Sequence, residues 1–291
     1  MTELAEQMTE LAEQIQALPI SKAGRLLAAL FPYRKRVILE NINHVFGEQL
    51  VTAQKWHLAK AFYSHVLRSI KETIQLRFLS EARLLARVEV KGHEKVLAVA
   101  AQNKGVLILT GHFGSFEFAP IAGMIKFKQF SGRFHFIRRT LGNKLLERVL
   151  FQRYYRAGLH VITKANALQH VTEALDRNHA VVFVLDQHAS LANRDGIAAE
   201  FFGKKAGTYR SLATFARYTH APVVPASSYR KPNGQHVLEF HEPIEWQDYP
   251  GNHQAIYENT CRYNRALERI ILAHPEQWWW MHRRWKLSSK K

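Results

Sequence analysis

Residues 106–117 read VLILTGHFGSFE, and their types could do acid–base chemistry. An apolar run ends in Gly111-His112, and Gly114-Ser115 and Glu117 follow. In α/β sheets ligands bind beyond the carboxyl ends of strands, which is where this histidine falls. Gly111 and Gly114 allow the backbone to approach a substrate closely. An imidazole exchanges protons near neutral pH. The step from His112 to Glu117 is about 140° on one helix, so the two would not share a helical face. They meet only if His112 lies in the turn before a helix and Glu117 in its first turns. The carboxylate would then hold one ring nitrogen and leave the other as a base. A histidine in such a turn can equally be structural, and spacing alone leaves both readings open.

Other residues that could do chemistry are few. Asp186 and Gln187 follow the apolar run Val181–Leu185, and Asp186 reads as a structural or supporting carboxylate, with direct catalysis as the alternative. The single cysteine, Cys261, excludes an intramolecular disulfide framework and a thiolate zinc site, and reads as a small buried side chain. Sixteen histidines include no His-Glu-x-x-His pair, so no metal is expected. A hydrolase would use the same His112 with water, but the Gly-x-Ser-x-Gly elbow is missing.

The elements that must position these residues follow from the apolar pattern. Continuous apolar runs lie at Val106–Leu109, Phe134–Ile137, Val161-Ile162, Val181–Leu185, Val223-Val224 and Val237–Phe240, and Val88–Lys91 alternates. Helix-length stretches separate them, at 94–103, 115–127, 142–157, 165–178 and 207–219, with 253–274 last. This alternation predicts an α/β fold with a central, mostly parallel sheet covered by helices on both faces. Residues 37–80 carry helical spacing, including Phe62, Val66, Ile70 and Ile74, and together with 15–36 predict a helical, membrane-proximal N-terminal cap over 15–80. With 291 residues and no Gly/Ser/Pro-rich linker, one domain over 15–286 is the simplest division. Residues 1–14 repeat MTELAEQ twice as an extension without assigned function, and 287–291 form a basic tail.

Composition narrows the partners. Lys plus Arg number 41 and Asp plus Glu 24, a net charge of +17, which favours an anionic partner. Apolar residues at 47% exclude a disordered chain. The longest near-apolar run, Phe118–Ile125, is far short of the roughly 18 residues of a spanning helix, and the acidic N-terminus is unlike a secretory signal. Residues 15–36 carry Lys22, Arg25, Arg34, Lys35 and Arg36 with no acid, beside Leu26, Leu27, Leu30 and Phe31. That pattern suits an interfacial membrane helix, or a helix laid on the protein's own core. Basic residues dominate 126–156 and 203–231. Trp278, Trp279, Trp280 and Trp285 among Arg283, Arg284 and Lys286 have the composition of a membrane–water interface, or close the core. Basic residues interleaved with aromatics also describe a single-strand nucleic-acid platform. That alternative leaves the His112 turn unexplained.

Four segments in order resemble the lipid A biosynthesis late acyltransferases, the lauroyl/myristoyl transferase family. Gly111–Glu117 resembles its His-x-x-x-x-Asp/Glu signature. Arg139–Asn143 followed by Leu145 resembles its Arg-x-x-x-Asn-x-Leu segment. Asp186-Gln187, then Phe201-Phe202-Gly203, then Ala221–Pro225 form the third match, and Pro275–Trp278 through His282–Lys286 the fourth. The similarity spans about 20–286. Many family members carry a spanning helix ahead of this region, which the residues here do not supply.

The resemblance implies a glycerolipid-acyltransferase-like fold and transfer of a fatty acyl group from a thioester to a hydroxyl. The donor would be acyl carrier protein or coenzyme A as co-substrate, with no cofactor. The acceptor would be an anionic membrane lipid, most simply a lipid A precursor, with another glycolipid, lipid or pigment alcohol as the alternative. The site would lie at the cytoplasmic face of the bacterial inner membrane, held peripherally, with no nucleic acid as partner. His112 would be the general base and Glu117 the acid that fixes its tautomer. Glu200, before Phe201-Phe202-Gly203, is a second candidate acid or a plain surface carboxylate. Arg139, Asn143, Gly114, Ser115, Asp186 and Gln187 are the expected substrate- or oxyanion-binding residues.

Overall fold

The apolar runs become the strands of one sheet, the central ones buried on both faces. The structure, a computed structural model, describes residues 10–115, 117–127, 131–138, 152, 154–163, 166–192 and 195–286. The main strands are β1 (Val88–Lys91), β2 (Val106–Thr110), β3 (Phe134–Arg138), β4 (Leu159–Thr163) and β5 (Ala180–Val184). After the β6 (Gly196–Phe201) and β7 (Lys204–Tyr209) hairpin come β8 (Val223–Arg230) and β9 (His236–Phe240). Among the described residues the sheet has the order β1-β9-β8-β2-β5-β3-β4. Its pairs are parallel except β8 with β9. Leu107, Leu109, Val181 and Phe183 face one core layer. Ile108, Val182 and Val224 face the other. Two-sided burial is why these strands show no polar alternation.

β6 and β7 depart from the sequence expectation, which places a helix over 207–219. β7 continues through Tyr209, and the helix α8 covers only Ser211–Thr219. Phe202 and Gly203, with φ of 50° and 69°, make the two-residue turn that pairs Phe201 with Lys204. Two successive left-handed residues match the twist of a hairpin and close it tightly. The stretch expected as a helix over 142–157 lies mostly outside the described residues.

The N-terminal cap is helical. Helix α1 (Lys22–Leu30) starts at Ser21, whose Oγ accepts from the Gly24 amide at 2.9 Å. It packs on the long helix α3 (Thr52–Leu76), which follows α2 (Lys35–Phe46). At the crossing a Cβ on Gly24 would lie 2.0 Å from Ser64 Oγ, so the close approach requires glycine. Gly24 and Ala28 are buried there, while Leu26, Leu30 and Phe31 remain exposed. The face that packs on the protein's own core is thus established, and the opposite face leaves its apolar side chains exposed. Arg230 at the end of β8 pairs with Glu72 of α3, tying the cap to the sheet. Burial would raise the Glu72 carboxyl, but hydrogen bonds from His236 and Arg230 hold it down to about 2.

The helix α9 (Asn252–Ala273) is followed by a segment that packs into the core. Trp278 and Trp280 are 1% and 0% exposed, packed edge to face on each other. This corrects the interfacial reading for these two tryptophans: they close the core. Arg284 is also fully buried, its guanidinium donating to the Gly207 carbonyl and to Thr208 Oγ1, with its carbon 4.6 Å from the Phe201 ring centroid.

Candidate active site

β2 and β5 are adjacent and parallel, with Thr110 paired to Val184. Two residues beyond each paired end stand His112 and Asp186, so the register alone brings them side by side. Asp186 Oδ1 lies 2.9 Å from His112 Nδ1. Asp186 Oδ2 accepts from the His112 amide at 2.8 Å and from Trp278 Nε1–H at 2.9 Å. The His112 side chain is 27% exposed and Asp186 only 3%. A buried carboxylate bound by three N–H groups keeps its charge. Burial would raise its pKa, but the His112 charge, the His112 hydrogen bonds and the Trp278 indole bring it below the usual value. Burial likewise pushes the His112 ring down, and the Asp186 charge and hydrogen bond outweigh it, leaving the ring more basic than a free histidine.

The turn is pinned from a distant part of the chain. Gly114 N–H donates to the Gln277 carbonyl at 2.9 Å, and Trp279 N–H to the His112 carbonyl at 3.1 Å. Gly114 has φ of +55°, and a Cβ there would lie 2.2 Å from the Ser228 carbonyl oxygen. Only glycine fits this position.

The expected partners of His112 are redistributed. The carboxylate at the ring is that of Asp186 and not that of Glu117. Glu117 lies just before the helix α6 (Phe118–Lys126), hydrogen-bonds Thr73, and is raised by burial. The turn ahead of α6 points it toward α3. Glu200 is exposed on β6, opposite Lys205, and does not line the cavity at His112. The Gly114 amide is taken by the Gln277 carbonyl, and Ser115 beside it is 3% exposed. Asp186 is too enclosed to bind substrate and serves the histidine instead. Gln187 is at the ring, its Nε2 3.2 Å from His112 Nε2. Arg139 and Asn143 lie outside the described residues. Sequence reasoning missed Trp278 as a partner of Asp186. The signal for the Asp186 pairing was present, since Asp186 and His112 each stand just beyond an apolar strand.

His112 and Gln187 line a cavity of about 1100 Å³. Its walls are mostly apolar, with Ile108, Phe134, Phe136, Val182 and Phe240 among them. Each methylene moved from water into such walls contributes ~0.8 kcal/mol. The arrangement can therefore hold an alkyl chain beside an imidazole able to take a proton. Among the described residues no cluster of three or more His, Cys, Asp or Glu could hold a metal ion.

Comparison with known proteins gives concordant matches. The family model described as "Bacterial lipid A biosynthesis acyltransferase" matches residues 8–287. The lipid A biosynthesis palmitoleoyltransferase of Escherichia coli K12 is 24% identical over 268 residues, 91% of this chain and 83% of that protein. The lipid A biosynthesis lauroyltransferase of the same organism is 26% identical over 267 residues, 90% and 82%. A crystal structure of the 1-acyl-sn-glycerophosphate acyltransferase PlsC from Thermotoga maritima aligns over 85% of this chain and 97% of its own, with TM-score 0.38 and 16% identity.

Proposed function

The chain belongs to the bacterial lipid A biosynthesis acyltransferase family, and from that premise we propose that it moves a fatty acyl chain from an acyl thioester to a hydroxyl of a lipid A precursor, with His112 as general base. The carrying observation is the His112–Asp186 pair, with the His112 ring lining the apolar cavity. Asp186 holds the proton on Nδ1, so Nε2 is the nitrogen that accepts. The acceptor hydroxyl loses its proton to Nε2 as its oxygen attacks the thioester carbonyl. The tetrahedral oxyanion collapses, the C–S bond breaks, and the imidazolium returns the proton to the departing sulfur. The acceptor itself is the nucleophile, so the reaction needs no acyl-enzyme. The Gln187 amide, 3.2 Å from the reacting nitrogen, suits the oxyanion.

The donor is acyl carrier protein in this reading, because a net charge of +17 favours an acidic protein partner. The molecule sits peripherally on anionic membrane through α1, whose exposed Leu26, Leu30 and Phe31 lie beside Arg25, Arg34, Lys35 and Arg36. No helix among the described residues is long and apolar enough to cross a membrane.

The test is acyl transfer by purified protein from a panel of acyl-acyl carrier proteins. A lipid A precursor and total membrane lipid are offered as acceptors, with products read by mass spectrometry. An added acyl mass on the precursor, absent with folded His112→Ala, is the expected result. Product only in total lipid would move the acceptor elsewhere. Undiminished transfer by His112→Ala would remove the base.

A further inference from the structure

The segment 275–280 contributes to the site from about 165 residues beyond the His112 turn. Phe113 and Trp278 form an isolated antiparallel bridge, flanked by the bonds from Gly114 to Gln277 and from Trp279 to His112. The Gln277 side chain is itself locked to the Arg230 backbone, with Nε2 donating to the carbonyl and Oε1 accepting from the amide, both at 2.9 Å. The Asn41 side chain holds the next turn by donating to the Trp280 carbonyl at 2.7 Å. On this frame the Trp278 indole is 1% exposed, set against Phe201 and Trp280, and its N–H meets Asp186 Oδ2 at 2.9 Å.

From this geometry we infer that Trp278 is a positioning residue for acyl transfer: its indole N–H orients the Asp186 carboxylate so that Oδ1 faces the His112 ring. The inference rests on the reading of His112 as general base. Asp186 has two oxygens and a free torsion, and the His112 amide alone leaves it room to rotate. The indole is rigid and fully packed, so it supplies a second fixed donor to Oδ2. Removing that donor lets Oδ1 turn from the ring, so the charge and hydrogen bond that keep His112 basic weaken and the ring loses its proton at lower pH. Among the described residues, His282 and Arg284 from the C-terminal segment also act on the pair, with His188 beside them. They stay in place when the indole alone is changed.

The experiment compares the full-length enzyme with Trp278→Phe. Because Phe leaves a gap in a packed cluster, a second variant carries 3-benzothienylalanine at 278, which keeps the fused rings and lacks the N–H. Melting curves establish that each is folded. The readouts are kcat, KM for both substrates, the pH–rate profile, and the His112 ring titration followed by NMR. The expected result is a fall in kcat of about tenfold with KM within about twofold. The acidic limb and the His112 titration midpoint both move downward by about half a unit or more. A limb and midpoint that stay put in the folded 3-benzothienylalanine variant, whatever kcat does, would overturn the inference and leave Trp278 as packing. Turnover surviving in His112→Ala overturns the general-base reading instead, while the NMR midpoint still decides whether Trp278 acts on Asp186.

Discussion

His112 is held as a stronger base than a free histidine, and that has two opposite consequences with pH. A general base works only when neutral, so the acidic limb of kcat/KM is expected above 6.5, the ordinary value of the ring. In Asp186→Asn the ring loses its charge partner and its fixed tautomer. The limb should fall to lower pH and kcat should drop about 10³-fold, measured by initial rates across pH 5–9. Stability follows the other sign. A raised histidine contributes stability that is complete below about pH 6.5 and is lost as pH climbs through the folded value. A lowered Asp186 contributes stability present above about 3.8 and lost as pH falls through its folded value. The pair therefore stabilises the fold most between those two values. In melting curves against pH, Asp186→Asn should lose most relative to the parent in that window; an equal offset at every pH would show that the pairing does not set it.

A tight backbone contact between elements positions the site. The turn after β2 crosses the Ser228 carbonyl of β8 with no room for a side chain, and Gly114 is the residue at the crossing. Gly203, in the β6–β7 turn, has a similar positive φ of 69° but no atom within 4 Å of where a Cβ would sit. Alanine at both positions carries the left-handed penalty of about 1–2 kcal/mol, and only Gly114→Ala adds a backbone collision. Thermal unfolding should therefore rank Gly114→Ala well below Gly203→Ala, with loss of transfer confined to the former. Equal melting temperatures would show that the turn can move off Ser228.

At the scale of the whole molecule, charge and apolar exposure fall together on the N-terminal cap. Beyond its crossing with α1, α3 leaves Ile70 and Ile74 exposed, and Phe78 follows at 83%. Phe31 is 73% exposed beside Arg34, Lys35 and Arg36. In the membrane-docking reading, Phe31→Glu removes an inserted ring and adds a repelled charge. Co-sedimentation with vesicles of anionic phospholipid should fall about tenfold or more, while transfer to a detergent-dispersed acceptor stays unchanged. Equal sedimentation of variant and parent would place the contact elsewhere.

The sequence by itself determined the strand runs, the helical cap and the glycine-flanked His112 beyond a strand, because those features depend on residues within a few positions of one another. Four motifs in order were enough to indicate the family. It did not determine the carboxylate. Glu117 was the nearest acid along the chain, yet the His112 ring meets Asp186, 74 residues away. That pairing exists only because β2 lies beside β5 in the sheet, an order that apolar periodicity does not encode. The tryptophans were equally undecided, since indole beside arginine suits an interface or a core. Tertiary structure settled Trp278 and Trp280 by threading the segment after α9 against the His112 turn. There the Trp278 indole finds a buried carboxylate to bond, which no local pattern could have specified.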